Sequence, residues 1–143
     1  MASVHDVAGY ILDELGEMTA MKLQKLCYYC QAWHLVWESE PLFDSRIEAW
    51  ANGPVIRDLY EEHRGKFTVE KWAKGDKSRL SEDERESIDV VLKAYGDMSA
   101  YELSSLTHRE DPWKDARAGL PAGARSETEI THEAMVEYYE GLV

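Results

Sequence analysis

Residues Met18 to Glu38, MTAMKLQKLCYYCQAWHLVWE, run without Gly or Pro and carry apolar side chains around most of a helical circumference. Leu23, Leu26, Cys27, Cys30, His34 and Trp37 fall on one helical stripe, and Tyr29, Trp33 and Val36 widen it. The polar positions shrink to a band at Gln24, Lys25, Tyr28 and Gln31. A helix this apolar has to be buried. Roughly eighteen residues at 1.5 Å each span about 27 Å, the width of a small domain. Thr19 offers an N-cap, and Met18 before it can staple onto Leu23. The stretch is the expected central helix, and the remaining chain must pack around it.

There is enough material for that. The chain has 143 residues, 44% of them hydrophobic, with five Trp and eight Tyr, so one core can form without disulfides and a single domain over residues 1–143 is expected. No run of eighteen apolar residues occurs, and no basic leader precedes His5 and Asp6, so a soluble cytoplasmic protein without a membrane span is expected. The net charge of −12 opposes phosphate binding, because counterion release needs clustered cations. Direct nucleic-acid binding is therefore not expected. One local exception is Lys66, Lys71, Lys74, Lys77 and Arg79, but that segment holds a single ring, Trp72, too little for a binding stripe. The acidity suits a basic partner as well as plain solubility.

Val4, Val7, Ala8, Ile11, Leu12 and Leu15 mark an amphipathic first helix, capped by Ser3 and ended by Gly16. After the central helix, Pro41 breaks the pattern. Leu42–Phe43 and Ile47–Trp50 read as the strands of a short hairpin around Asp44-Ser45-Arg46, and Pro54 suits the first position of a third helix reaching His63. Phe67 to Arg79 reads as an irregular, mobile loop. Ser81 with Glu84 and Ser99 with Glu102 are capping boxes opening two more helices, and Thr131 opens the last. The spacing predicts a mainly α, compact domain of about six helices around a buried central helix, with one short β-hairpin.

The candidates for chemistry weaken on inspection. Cys27 and Cys30 sit i, i+3 in mid-helix, far from the helix N-terminus that would lower a thiol pKa, and no second ligand pair accompanies them, so they read as core. His108, Glu110 and Asp111 could form an acid–base cluster, yet a histidine at a helix end and an Asp-Pro turn explain them equally. No nucleophile elbow, zinc-protease or phosphate-loop motif occurs. No enzyme, metal site or cofactor is expected.

Three segments nevertheless belong together: KLQKLCYYCQAWHLV (22–36), PLFDSRIEAWANGPVIRDLYEEH (41–63) and LSSLTHREDPWKDAR (103–117). In this order they resemble the Panacea domain, the SocA-like antitoxin domain of bacteria and phages, of the phage-associated protein type. The family-like positions are Lys22, Leu23, Gln24, Lys25, Tyr28, Tyr29, Glu48, Trp50, Gly53, Pro54, Thr107, His108, Glu110, Pro112 and Trp113. Cys27 and Arg57 depart from the pattern, standing where apolar and Pro residues are common. The resemblance implies an antitoxin that neutralises a co-encoded protein toxin by direct binding. Its alternative is an adaptor that hands a bound toxin to the ClpXP protease. From the likeness and the aromatic content, the candidate partner-binding residues are Lys22, Lys25, Tyr28, Trp50, Trp72, His108, Glu110 and Trp113, with Lys22, Lys25 and Tyr28 as an exposed band on the central helix.

Overall fold

In the computed structural model, which describes residues 2–143, the chain starts with α1 (Val4–Leu15). Ser3 caps it, accepting from the Asp6 amide while the Asp6 carboxylate accepts from the Ser3 amide. Gly16 closes it at φ 82°, a conformation that favours glycine. The two-residue strand β1 (Met18–Thr19) leads directly into α2 (Ala20–Glu38), whose first turn is capped by Thr19 Oγ1 accepting from the Lys22 amide at 3.1 Å. Helix α2 is the axis of the fold, and every residue from Leu23 to Ala32 is buried.

Strands β2 (Ile47–Trp50) and β3 (Gly53–Ile56) form an antiparallel hairpin, followed by α3 (Arg57–His63). Then come β4 (Thr68–Val69), α4 (Glu82–Tyr95), α5 (Ala100–His108), α6 (Asp111–Ala116) and α7 (His132–Glu140). Both anticipated capping boxes form, Ser81 with Glu84 and Ser99 with Glu102. Around α2 pack α1, α4, α5, α7 and β3, so the mainly α architecture around a buried central helix stands. Each fully buried Leu, Ile or Phe on these faces contributes about 1.5–3 kcal/mol. Cys27 and Cys30 are among the filling side chains. Both are wholly buried free thiols, and burial pushes both thiol pKa values up, so they serve packing.

Four expectations need correction. The anticipated exposed band on α2 is buried: Lys25, Tyr28, Gln24 and Gln31 are each at most 1% exposed, because the hairpin and α7 cover that side. Conversely Trp37, placed by periodicity on the buried stripe, is 41% exposed, lying in an open depression against the first turns of α4 rather than under a covering element. The hairpin uses Gly53–Ile56 as its second strand rather than Leu42–Phe43, and α3 starts at Arg57 rather than Pro54. Pro54 is tolerated opposite Ala49 in a two-stranded sheet, where its missing N–H breaks little. The physical reason for this register lies in α2. Gln24 Oε1 accepts from the Ile56 amide at 2.8 Å and its Nε2 donates to the Ile56 carbonyl at 3.1 Å. Gln31 does the same for the other segment, accepting from the Leu42 amide at 2.7 Å and donating to the Phe43 carbonyl at 2.7 Å. Leu42 and Phe43 are thus held by a side chain instead of a strand.

The fourth correction concerns Phe67–Arg79, which is irregular but tied down. β4 pairs with β1, Trp72 Nε1 donates to His5 Nδ1 at 2.9 Å, and the Asp76 amide donates to Asp6 at 2.9 Å. Gly75 lies so close to α1 that a Cβ there would meet the His5 carbonyl oxygen at 2.0 Å. The α-helix that periodicity missed is α6, six residues long with Pro112 in its first turn, and the β1–β4 pair was not foreseen either.

Gln24→Leu isolates the amide's contribution. It leaves the Ile56 amide and carbonyl and His63 Nε2 without partners, and should cost about 3 kcal/mol in urea unfolding. A loss under about 1 kcal/mol would show that the clamp does not hold the hairpin.

Candidate functional site

The three segments that carry the family likeness converge beneath the hairpin turn. Gly53 sits at φ 121°, directly over α2 and α5: a Cβ there would lie 2.8 Å from Lys25 Cε and 3.0 Å from Thr107 Oγ1. Only glycine allows both the backbone angle and this approach. Under the turn the Lys25 side chain is 1% exposed, and its Nζ has no hydrogen-bond partner. Burial alone lowers its pKa to about 7. His108 Nε2 is likewise buried without a partner. Its pKa is lowered, first by burial and then by the nearby Lys25 ammonium. The His108 ring stacks on Trp113 at 4.1 Å, and Trp113 Nε1 donates to the Trp50 carbonyl at 2.8 Å. Arg117 also lies over Trp113, 4.9 Å from the ring centre, and its Nη1 donates to the Ala49 carbonyl at 3.1 Å. The hairpin, α5 and α6 are so bolted together through groups that are neutral or delocalised.

A second buried cluster joins α2 to α7. Tyr29 and Tyr139 both donate to Glu110 Oε1, at 2.6 and 2.7 Å, and the Tyr28 and Tyr139 hydroxyls lie 3.0 Å apart. Burial raises the Glu110 pKa, and the two tyrosine hydrogen bonds oppose that rise. Tyr29 also stacks on Tyr95 at 4.2 Å. The cluster gives the Tyr28 and Tyr29 hydroxyls of α2 their partners.

Above the turn opens a cavity of about 610 Å³, walled by Trp50, Tyr60, Arg57, Arg64 and Arg125, with Gln24 and His63 at its α2 side. Trp50 meets Tyr60 edge-on at 5.0 Å and carries the Arg57 guanidinium 5.5 Å from its ring. Buried Glu48 organises this wall: Oε1 accepts from Trp50 Nε1 at 2.8 Å and from Arg57 at 2.9 Å, and Oε2 accepts from Arg46 at 3.0 Å. Burial works against its charge, yet these bonds hold the Glu48 carboxyl below its usual value. Arg57 also pairs with Glu127, so the departure from Pro at this position adds a structural ion cluster.

Lys25, Tyr28, Glu110 and Trp113 therefore present almost no surface, while Lys22, Trp50, Trp72 and His108 are half-buried. Lys22 Nζ donates to the Gly96 carbonyl at 2.6 Å, closing α4 onto α2. Sequence reasoning did not foresee the amide clamps of Gln24 and Gln31; two glutamines inside an apolar run were the available signal. Nor did it foresee the exposed edge of Trp37. Among the described residues no three His, Cys, Asp or Glu side chains gather as a metal site, and no helix is long and apolar enough to cross a membrane.

The lone ammonium makes a measurable prediction. A lysine whose folded pKa is depressed binds fewer protons when folded between about 7 and 10.5, so stability rises with pH through that window. Lys25→Met should gain about 2 kcal/mol over the parent below pH 7, and the difference should shrink toward pH 10.5. A pH-independent difference in denaturation midpoints would refute the buried-ammonium assignment.

Comparison with known proteins finds a relative and a matching domain family. The antitoxin SocA of Caulobacter vibrioides (strain NA1000 / CB15N) is 28% identical over 124 residues, covering 75% of this chain and 66% of the relative, just under two thirds of its length. No solved structure matches the chain. Residues 23–114, from the start of the buried run on α2 through the Trp113 anchor on α6, match the description "Antitoxin SocA-like, Panacea domain". On that match over most of its length, the chain belongs to the SocA-like Panacea domain family.

Proposed function

We propose that this chain is an antitoxin that neutralises a co-encoded protein toxin by binding it directly. The observation that carries the reading is the family match across residues 23–114, which spans most of α2, the hairpin, and Lys25, Tyr29, His108, Glu110 and Trp113 of the buried clusters. The structure supports a binding role in a second way. The groups that could do chemistry are locked inside: Lys25, Cys27 and Cys30 are at most 1% exposed, and Glu110 is held by two tyrosines. A rigid interior with its reactive groups consumed by packing leaves the surface to carry function.

Co-expression with the product of the adjacent open reading frame tests the proposal. That product alone should arrest growth, this chain should restore it, and the two should co-purify as a complex. A neighbour that is harmless, or one whose toxicity persists with this chain present and folded, would sink the antitoxin reading.

A further inference from the structure

The C-terminal end of α2 and the start of α4 enclose a groove that the fold itself leaves unused. It consists of two depressions of about 450 and 350 Å³ that share Glu38 and Asp83. In the smaller one Trp37, 41% exposed, and Val90, 47% exposed, form an apolar step. Glu86 flanks that step, and Glu40 and Glu84 line the larger depression. No Lys or Arg lines either one, and none of these five carboxylates takes part in an ion pair among the described residues.

Some acids elsewhere do meet cations, as Glu48 and Glu127 with Arg57, Glu62 with Lys74, and Asp13 with Lys77. Here five carboxylates surround an exposed aromatic with no cation among the lining residues. The groove also holds open polar positions of its own. The Trp37 indole N–H makes no hydrogen bond within the protein. His34 is 96% buried, since only 4% of it is exposed; it bonds Ser87 through Nδ1 at 2.8 Å and lines the larger depression, with its Nε2 unpartnered. The aromatic step is preorganised: Trp37 stacks on Trp33 at 5.5 Å, and Trp33 is fixed by donating to the Tyr95 hydroxyl at 3.0 Å. An exposed tryptophan already held in place loses little side-chain freedom on binding.

We infer that this groove is the docking surface for a basic amphipathic segment of a protein partner, an apolar side chain seated on Trp37 and Val90 and Lys or Arg side chains facing Glu38, Asp83 and Glu86. Charge complementarity selects that occupant, since an acidic segment would face five like charges and a nucleic acid would be repelled outright. Identifying the segment as the toxin's rests on the antitoxin reading; the surface and its chemistry do not.

Two measurements separate the ideas. In calorimetric titration, a synthetic amphipathic helix with one Lys/Arg face and one Leu face should bind the full chain, more weakly as salt rises. Trp37→Ala and the triple variant Glu38→Gln/Asp83→Asn/Glu86→Gln should each weaken it by about tenfold or more. Both variants change exposed residues, and their unfolding curves should stay near the parent's. No binding by the parent chain, or equal binding by folded variants, would overturn the groove. In co-expression, variants that lose protection while the parent protects support the groove as the toxin's seat. Variants that protect as fully as the parent overturn that role and leave the antitoxin reading intact, whereas failure of the parent overturns the antitoxin reading and leaves the titration to judge the surface.

Discussion

A helix enclosed on all sides cannot leave its polar side chains in water, and α2 carries several of them through the middle of the molecule. Gln24 and Gln31 solve the problem by acting as surrogate backbone, each offering one donor and one acceptor to a passing segment. An unsatisfied buried amide costs about 1–3 kcal/mol, so the two glutamines dictate where the connecting chain must run. The hairpin register, the position of Leu42–Phe43 and the late start of α3 all follow from that requirement. Through Ile56 the same clamp sets the wall of the cavity above the turn, and through His63 it fixes the inner face of α3.

The lysine between those glutamines has no such solution. Lys25 lies against Gly53 and Thr107 with an unpartnered ammonium, beside a histidine that is also short of a partner. Burial disfavours the charge on both, Lys25 further depresses the protonation of His108, and Trp113 packs on the His108 ring. The fold tolerates this because the surrounding contacts over-determine it: the hairpin turn is held by Trp113, Arg117 and Ser104, each donating to a hairpin carbonyl. Stability given up at one buried charge is supplied by the apolar core around it.

Charge is partitioned in the same economical way. The basic segment after α3 looked available to a partner, but Lys74, Lys77 and Arg79 are engaged with Glu62, Asp13 and Asp76 of this chain. Its tryptophan is an anchor onto α1, stacked near His5. Unpaired carboxylates line the groove between the end of α2 and the start of α4, beside exposed Trp37. The same helix thus builds the interior with its middle and offers an aromatic edge with its end.

Local rules fixed the caps: Ser3, Thr19, Ser81, Ser99 and Thr131 all behave as their positions in the chain require, because an N-cap depends only on residues within one turn. The central helix was equally legible, since an unbroken apolar circumference has one physical meaning. The family likeness was carried by residues whose reason for being there was invisible in one dimension. Gly53, Thr107 and Lys25 are far apart in the chain, and only their meeting explains them. Periodicity put Lys25 and Tyr28 on an exposed band and Trp37 in the core; the structure reversed both, because a helical wheel describes one helix and burial depends on what neighbours cover. From sequence alone came six of the helices, the caps of most of them and the family, but neither α6 nor the start of α3. Tertiary structure decided which polar groups of the central helix are spent inside and which edge stays exposed, since both depend on contacts between residues that the chain holds far apart.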